Sequence, residues 1–178
     1  FNLSSENVLT FKEAPDYETK NSYSITLTLT DGTETVTKDV TITITNVNYA
    51  APSFTSDDTF SAPENQTTIG TVTATDADGD GIVYSISGSD ITINSSSGVI
   101  AFVSAPDYET KTSYTATVTA SDGINSTTQD ITVNVTNVND NSPVFTSSAT
   151  FSAPENQTTI GTVTATDADG DGIVYSIS

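Results

Sequence analysis

The chain has 178 residues and a formal net charge of −19, from 23 acidic residues against four Lys and Arg, with no His. Nucleic acid and anionic membrane surfaces repel such a chain, so neither is expected as a partner. Cys is absent, which excludes a disulfide framework and a thiolate metal site, and no apolar run is long enough for a spanning helix, so no direct membrane insertion is expected.

In chain order, Phe1 and Leu3 alternate with polar neighbours, and residues 8–11 resume after a turn. Residues 23–29 and 40–44 alternate cleanly, with Asp31-Gly32 as a turn between them. Residues 60–63 suit a short edge strand that tolerates Pro63. Residues 68–75 point Val72 and Ala74 to one face, and Ile82, Tyr84 and Ile86 form the next inward set. Residues 91–93 and 99–102 flank a loop at 94–98. Tyr114, Ala116, Val118 and Ala120 line one face of a long strand, and Ile131, Val133 and Val135 line the last. Period-two patterning, outward Thr and Ser and closely spaced turn signals predict strands throughout and no helix.

The pattern repeats. Residues 150–178 copy residues 59–87 residue for residue, and the segment from Ala14 to Lys20 recurs from Ala105 to Lys111, each at an offset of 91. A period near 90 suits a β-sandwich in tandem, not a helical solenoid. Phe1-Asn2-Leu3 aligns with Ile91-Thr92-Ile93 once a single loop residue is deleted. The organisation expected is the second half of a repeat at 1–51, one complete seven-stranded repeat at 52–142, and the first half of a third at 143–178. Each half would expose an inner sheet face, so head-to-tail copies are expected to complement each other, besides the neighbouring repeats of an array.

Acidic and amide motifs recur at fixed places: Pro63-Glu64-Asn65, Asp76-Ala77-Asp78-Gly79-Asp80-Gly81, Asp107-Tyr108-Glu109, Asp122-Gly123, and the connector Asn137-Val138-Asn139-Asp140-Asn141. Loops of a sandwich gather at its two ends, so each junction between repeats would collect carboxylates with no Lys or Arg beside them. Oxygen-only ligands in a large irregular set select Ca²⁺ over softer metals and over Mg²⁺.

Taken in order, these motifs resemble those of the cadherin repeat family. Asp107-Tyr108-Glu109 stands for its DRE motif, and Asn137 to Phe145 for its DxNDNxPxF linker. The resemblance covers the whole chain. It implies a Greek-key, Ig-like sandwich, an extracellular or cell-surface location, and Ca²⁺ between successive repeats. It implies that the second junction uses Glu64, Asp107, Glu109, Asn139 and Asp140, with the carbonyls of Val138 and Asn141, and Asp167 and Asp169 from the third repeat. Asp171 is expected to replace an amide ligand that the family draws from a longer loop. The first junction would use Asp16, Glu18, Asn48, Asp76, Asp78 and Asp122, with Asp80. There Tyr49 replaces the Asp140 position and Ala50 the Asn141 position, so fewer or weaker ions are expected.

Without His or Cys, no nucleophile–base set is present, and the chain is read as a non-enzyme. An EF-hand reading of Asp76 to Asp80 fails because Ser87 stands where that loop needs Glu. The leading reading is a calcium-stiffened structural and adhesive repeat. Near-identical repeats without Cys resemble a bacterial cadherin-like adhesin more than a vertebrate cadherin. The alternative is a carbohydrate- or protein-recognition module on the same fold, which would show clustered exposed aromatics outside the core. A dedicated calcium-binding or matrix-filling protein is a third.

Overall fold

The structure is a computed structural model that describes all residues, Phe1–Ser178. It is all-β, with fifteen short strands and no helix. The chain separates into two compact units. One comprises Phe1–Ser53, Ala74–Val83 and Ala120–Thr127; the other comprises Phe54–Thr73, Tyr84–Thr119 and Thr128–Ser178.

The N-terminal segment forms two hairpins. β1 (Asn2–Leu3) pairs with β2 (Leu9–Thr10), and β3 (Ser22–Thr30) pairs with β4 (Thr35–Thr43), in register from Ser22↔Thr43 to Thr30↔Thr35. Asp31 closes the second hairpin by accepting the N–H groups of Thr33 and Glu34, each at 2.8 Å, while Gly32 takes φ +95°. An Asx turn before a left-handed glycine fits the predicted Asp-Gly turn.

The middle segment adds β5 (Ser53–Phe54), β6 (Thr59–Pro63), β7 (Thr68–Thr71), β8 (Ala74–Thr75), β9 (Val83–Ile86), β10 (Ile91–Ile93), β11 (Val99–Phe102), β12 (Ser113–Ser121) and β13 (Ser126–Thr136). β5 pairs with β8, and the other seven form a three-stranded sheet, β10-β11-β7, and a four-stranded sheet, β6-β13-β12-β9. β6 lies at the edge, parallel to β13, with Phe60↔Val133 and Ala62↔Val135 in register. An edge position leaves Pro63 with no ladder bond to donate.

The predicted strand at 68–75 divides into β7 and β8. Between them, the Thr73 carbonyl accepts N–H groups from Thr55 (2.8 Å) and Ser56 (3.3 Å), which takes it out of the β7 ladder. Gly98, at φ +71°, ends the 94–98 loop against β7. A Cβ there would lie 2.1 Å from the Val72 carbonyl oxygen, which itself follows a bond from Val72 N–H to Gly98 O at 2.9 Å. Only glycine fits both the φ and the approach.

All fully buried apolar side chains lie between Pro52 and Val135. They include Val72, Ile91, Ile100 and Phe102, and Tyr84, Val118, Ile131 and Val133. Val72, Tyr84, Val118, Ile131 and Val133 are among the alternating inward positions read from the sequence, and Ile91, Ile100 and Phe102 lie on strands read there. The C-terminal segment adds only β14 (Val144–Phe145), paired with β15 (Ala165–Thr166).

Candidate metal centres

The loop following β8 builds one acidic trio. Gly79, at φ +79°, folds it so that Asp78 N–H (2.9 Å) and Asp80 N–H (3.2 Å) both donate to one oxygen of Asp76. Carboxylate oxygens of Asp76, Asp78 and Asp80 then lie within 4.8 Å of one another. Asp76 Oδ2, Asp78 Oδ1 and Asp80 Oδ2 are buried without any hydrogen-bond partner. Asp78 is only 5 % exposed. Burial, and then the charges of Asp76, Asp78 and Asp122, push the Asp80 carboxyl above its ordinary value. Three neighbouring carboxylates, each with a buried oxygen that has no partner, are costly unless a cation meets them.

The first connector is tied to this trio through its backbone. Tyr49 and Ala50 donate their N–H groups to Asp78 Oδ2 at 2.8 and 2.7 Å, and Asn46 Nδ2 donates to the Asp78 carbonyl at 2.9 Å. Asn125 Nδ2 donates to Asn48 Oδ1 and to the Ala50 carbonyl, each at 3.0 Å. Asp122 is held below its ordinary value: burial pushes it up, but the N–H groups of Asn125 and Ile124 outweigh that. Asp16 is held down mainly by the Thr19 hydroxyl at 2.7 Å. Glu18 is raised: its own backbone N–H opposes this, but burial and the charges of Asp16 and Asp78 prevail. Charge on Asp78 and then Glu18 also pushes up the Tyr49 phenol, so its ring stands in the field of the acids where Asp140 stands in the second connector.

A second group forms on the loops of the other unit. Carboxylate oxygens of Glu64, Glu109, Asp140 and Asp169 lie within 4.8 Å of one another, as do those of Asp167, Asp169 and Asp171. Glu64 is 3 % exposed, and both its oxygens accept backbone N–H groups, from Tyr108 (2.7 Å) and Val138 (2.8 Å). Asn65 takes φ +63°, which Asn tolerates better than most residues, and donates through Nδ2 to Asp140. Asp169 Oδ2 accepts the N–H groups of Asp140 (3.1 Å) and Asn141 (2.8 Å), and Asn137 Nδ2 donates to the Asp169 carbonyl at 2.8 Å. The two connectors are thus held by the same three backbone-directed bonds. That is why Tyr49 and Ala50 leave the path of the first connector intact while removing its side-chain oxygens.

The Asn141 amide sits among the acids. It donates to Asp140 Oδ1 (2.7 Å), Asp169 Oδ1 (2.9 Å) and Glu109 Oε2 (3.4 Å). Two amide hydrogens serve three carboxylates, which leaves the cluster under-compensated. Asp169 is held below its ordinary value, chiefly by this amide, whereas burial and then Glu64, Asp169 and Asp107 raise Glu109. Asp107 caps its own turn through Thr110 and is lowered by that hydroxyl. It stands outside the close group of four, as Asp16, Glu18 and Asp122 stand outside the first trio. Asn139 is exposed on the connector. No basic side chain enters either group, and the one ion pair, Lys111–Asp90 at 3.0 Å, lies elsewhere.

The amides of Asn46, Asn125 and Asn137 were not picked out from sequence as positioning groups. Their recurrence beside the acidic motifs is the signal that could have found them. Within residues 52–142 every Tyr and Phe is buried or half-buried.

The sequence profile of the Cadherin domain matches residues 58–136. The chain is 34 % identical over 168 residues to the Drosophila melanogaster protocadherin-like wing polarity protein stan, covering 82 % of the chain and 5 % of that protein. It is 38 % identical over 151 residues to human Protocadherin Fat 1, covering 73 % of the chain and 3 % of the relative. The chain therefore spans a small part of these proteins. Among solved structures, a protocadherin gammaB7 EC3-6 cis-dimer superposes with a TM-score of 0.76 at 26 % identity, over 94 % of this chain and 48 % of that one. Mouse Cadherin-23 EC22-24 superposes with a TM-score of 0.60 at 25 % identity, over 88 % and 56 %.

Proposed function

The chain belongs to the cadherin family, and from that premise we propose that it is a calcium-stiffened adhesive repeat of a long extracellular protein. Cadherin domains are extracellular adhesion modules and not enzymes. The repeat organisation proposed is 1–51, 52–142 and 143–178. Partners are neighbouring repeats of the same array and further copies of the chain. Repetition residue for residue and the lack of Cys support a bacterial adhesin as its source.

One observation carries the calcium reading: carboxylate oxygens of Asp76, Asp78 and Asp80 lie within 4.8 Å of one another, and each residue has an oxygen buried without a partner. The donor set is oxygen only and fits a hard divalent cation. Asp76, Asp78, Asp80, Asp16, Glu18, Asn48 and Asp122 would hold ions at the first junction. Glu64, Asp107, Glu109, Val138, Asn139, Asp140, Asn141, Asp167, Asp169 and Asp171 would do so at the second. Bound calcium would supply positive charge that joins carboxylates of successive repeats. The chain's own residues do the rest. Asp78 and Asp169 fix the connectors by accepting their N–H groups, Glu64 anchors the start of the second connector, and the asparagine amides orient the loops. Without compensation the carboxylates repel and the junction flexes.

Calorimetric titration of the whole chain with CaCl₂ tests this. Binding at about 10⁻⁴–10⁻³ M, as in extracellular modules, is expected, weakened by Asp78→Asn and by Asp169→Asn. No heat and no thermal stabilisation by Ca²⁺ would overturn it. The absence of an exposed aromatic cluster on residues 52–142 weighs against the carbohydrate-recognition reading.

A further inference from the structure

The turn between β12 and β13 holds one side chain firmly. Asp122 Oδ1 accepts the N–H groups of Ile124 (2.7 Å) and Asn125 (2.6 Å). The Asn125 carbonyl accepts the Asp122 N–H at 3.2 Å and the Ser121 hydroxyl at 3.0 Å. Gly123 takes φ +94° at the bend. Asn125 is therefore fixed through both backbone groups, and it is half-buried.

Its amide reaches the first connector. Nδ2 lies 3.0 Å from Asn48 Oδ1, 3.0 Å from the Ala50 carbonyl and 3.4 Å from Asp122 Oδ2. The calcium reading assigns Asn48 and Asp122 as ligands, and the Ala50 carbonyl corresponds to that of Asn141. One N–H₂ group is thus shared by three oxygens of the kind a hard cation takes.

The other bonds of this connector need no ion either. Tyr49 and Ala50 donate their N–H groups to the buried Asp78, and Asn46 donates to the Asp78 carbonyl. Residues 46–50 fall in the same compact unit as residues 74–83 and 120–127. With Tyr49 at the Asp140 position, the connector adds no carboxylate of its own. At the second connector the matching N–H bonds to Asp169 lie inside the group of Glu64, Glu109, Asp140 and Asp169. The amide belongs to this repeat and not to the turn as such. Residues 31–34 make the same turn, with Glu34 N–H on Asp31 Oδ1 at 2.8 Å, but carry Glu34 at the place of Asn125.

We propose that Asn125 is a positioning residue that takes the place of an ion at the first connector. Its amide clasps Asn48 and Ala50 to the Asp122 turn, so residues 46–50 stay seated on the middle segment without calcium. That the same oxygens are calcium ligands rests on the calcium reading; the clasp itself does not. Calcium taken up by Asp76, Asp78 and Asp80 then neutralises their loop without being needed to seat the connector, and the joint that answers to calcium is the second.

The test is amide hydrogen exchange of the whole chain, read residue by residue by NMR in chelator and in millimolar CaCl₂. Protection of Tyr49 and Ala50 should agree within about twofold between the two buffers. Asn125→Asp is nearly isosteric and turns an oxygen towards three others. In chelator it should speed exchange at Tyr49 and Ala50 about tenfold or more, through loss of the amide's two bonds. Val135 N–H, bonded to Thr112 O at 2.9 Å, should stay protected as the sign that the sheet is intact. Protection of Tyr49 and Ala50 that appears in wild type only with calcium would overturn the clasp, and that result needs no variant. So would Asn125→Asp exchanging like wild type in chelator. Calcium should restore protection in Asn125→Asp, whose added oxygen then faces an ion; protection lost in both buffers would support the clasp and count against calcium at these oxygens. A wild type that keeps Tyr49 and Ala50 protected yet gives no heat on titration with CaCl₂ would support the clasp and overturn the calcium reading.

Discussion

Glu64 and Glu155 stand in identical local sequence, yet only Glu64 is buried and bonded. The pair gives an internally controlled perturbation. Each of the two N–H groups on Glu64, at 2.7 and 2.8 Å, makes a charge-assisted bond worth about 1.5–3 kcal/mol. Glu64→Gln keeps one acceptor and turns an amide N–H₂ towards the other donor. The expected loss is about one such bond, roughly 2 kcal/mol. At about 4–8 °C per kcal/mol for about 90 residues, the melting temperature of the middle segment should fall by about 8–16 °C in chelator. Glu64→Ala strands both donors in a buried place and should remove a large part of the roughly 5–13 kcal/mol expected of about 90 residues. Glu155→Gln, at an exposed position, should change nothing. The assay is thermal unfolding by circular dichroism in chelator, so that no calcium effect enters. Equal melting temperatures for Glu64→Gln and wild type would refute the claim that Glu64 ties the second connector to the sandwich.

Tyr49→Asp with Ala50→Asn gives the first connector the oxygens of the second; calorimetry should show calcium binding at that junction strengthened about tenfold or more, some 1.4 kcal/mol per decade. The pH dependence has a definite sign. Asp80 and Glu109 titrate above their ordinary 3.8 and 4.5, so the folded state holds their protons more tightly, and in chelator their contribution makes stability rise as pH falls towards those values. Asp107, Asp169 and Asp122 are depressed; their contribution is present above 3.8 and is lost as pH falls through their folded values. A melting-temperature maximum at mildly acidic pH should therefore appear in chelator and move towards neutrality in calcium, which needs deprotonated ligands. Gly98→Ala places a Cβ 2.1 Å from the Val72 carbonyl at φ +71° and should cost at least about 1–2 kcal/mol, read as a lower melting temperature with calcium binding unchanged.

The strands were legible because burial is periodic: Val118, Ile131, Val133 and Val135 are where alternation put them, and Asp31-Gly32 is the turn its residues require. The break between β7 and β8 was not, since it depends on Thr55 and Ser56 reaching Thr73 from outside the strand. The acidic motifs announced themselves by composition, and the structure brings Glu64, Glu109, Asp140 and Asp169 into one group although they come from four separate segments. Hidden from sequence was the division of labour among amides. Asn141 was read for its carbonyl, yet its side chain bonds three acids; Asn125 was given no role at the junction, yet it donates to Asn48. An amide reads alike as ligand, cap or surface until the groups around it are placed. Glu64 was read as a ligand, but not as the buried tie between loops, because the N–H groups it accepts come from residues 44 and 74 positions away.

The central claim is that the junction acids bind calcium and thereby stiffen the array. Small-angle scattering on the whole chain, extrapolated to zero concentration and compared in chelator and in millimolar CaCl₂ with Asp140→Ala alongside, tests it most directly. The account predicts a longer maximum dimension and a less flexible scattering profile in calcium, both blunted by Asp140→Ala. Superimposable curves with and without calcium would contradict it and leave the acidic loops as solvated surface on a cadherin fold.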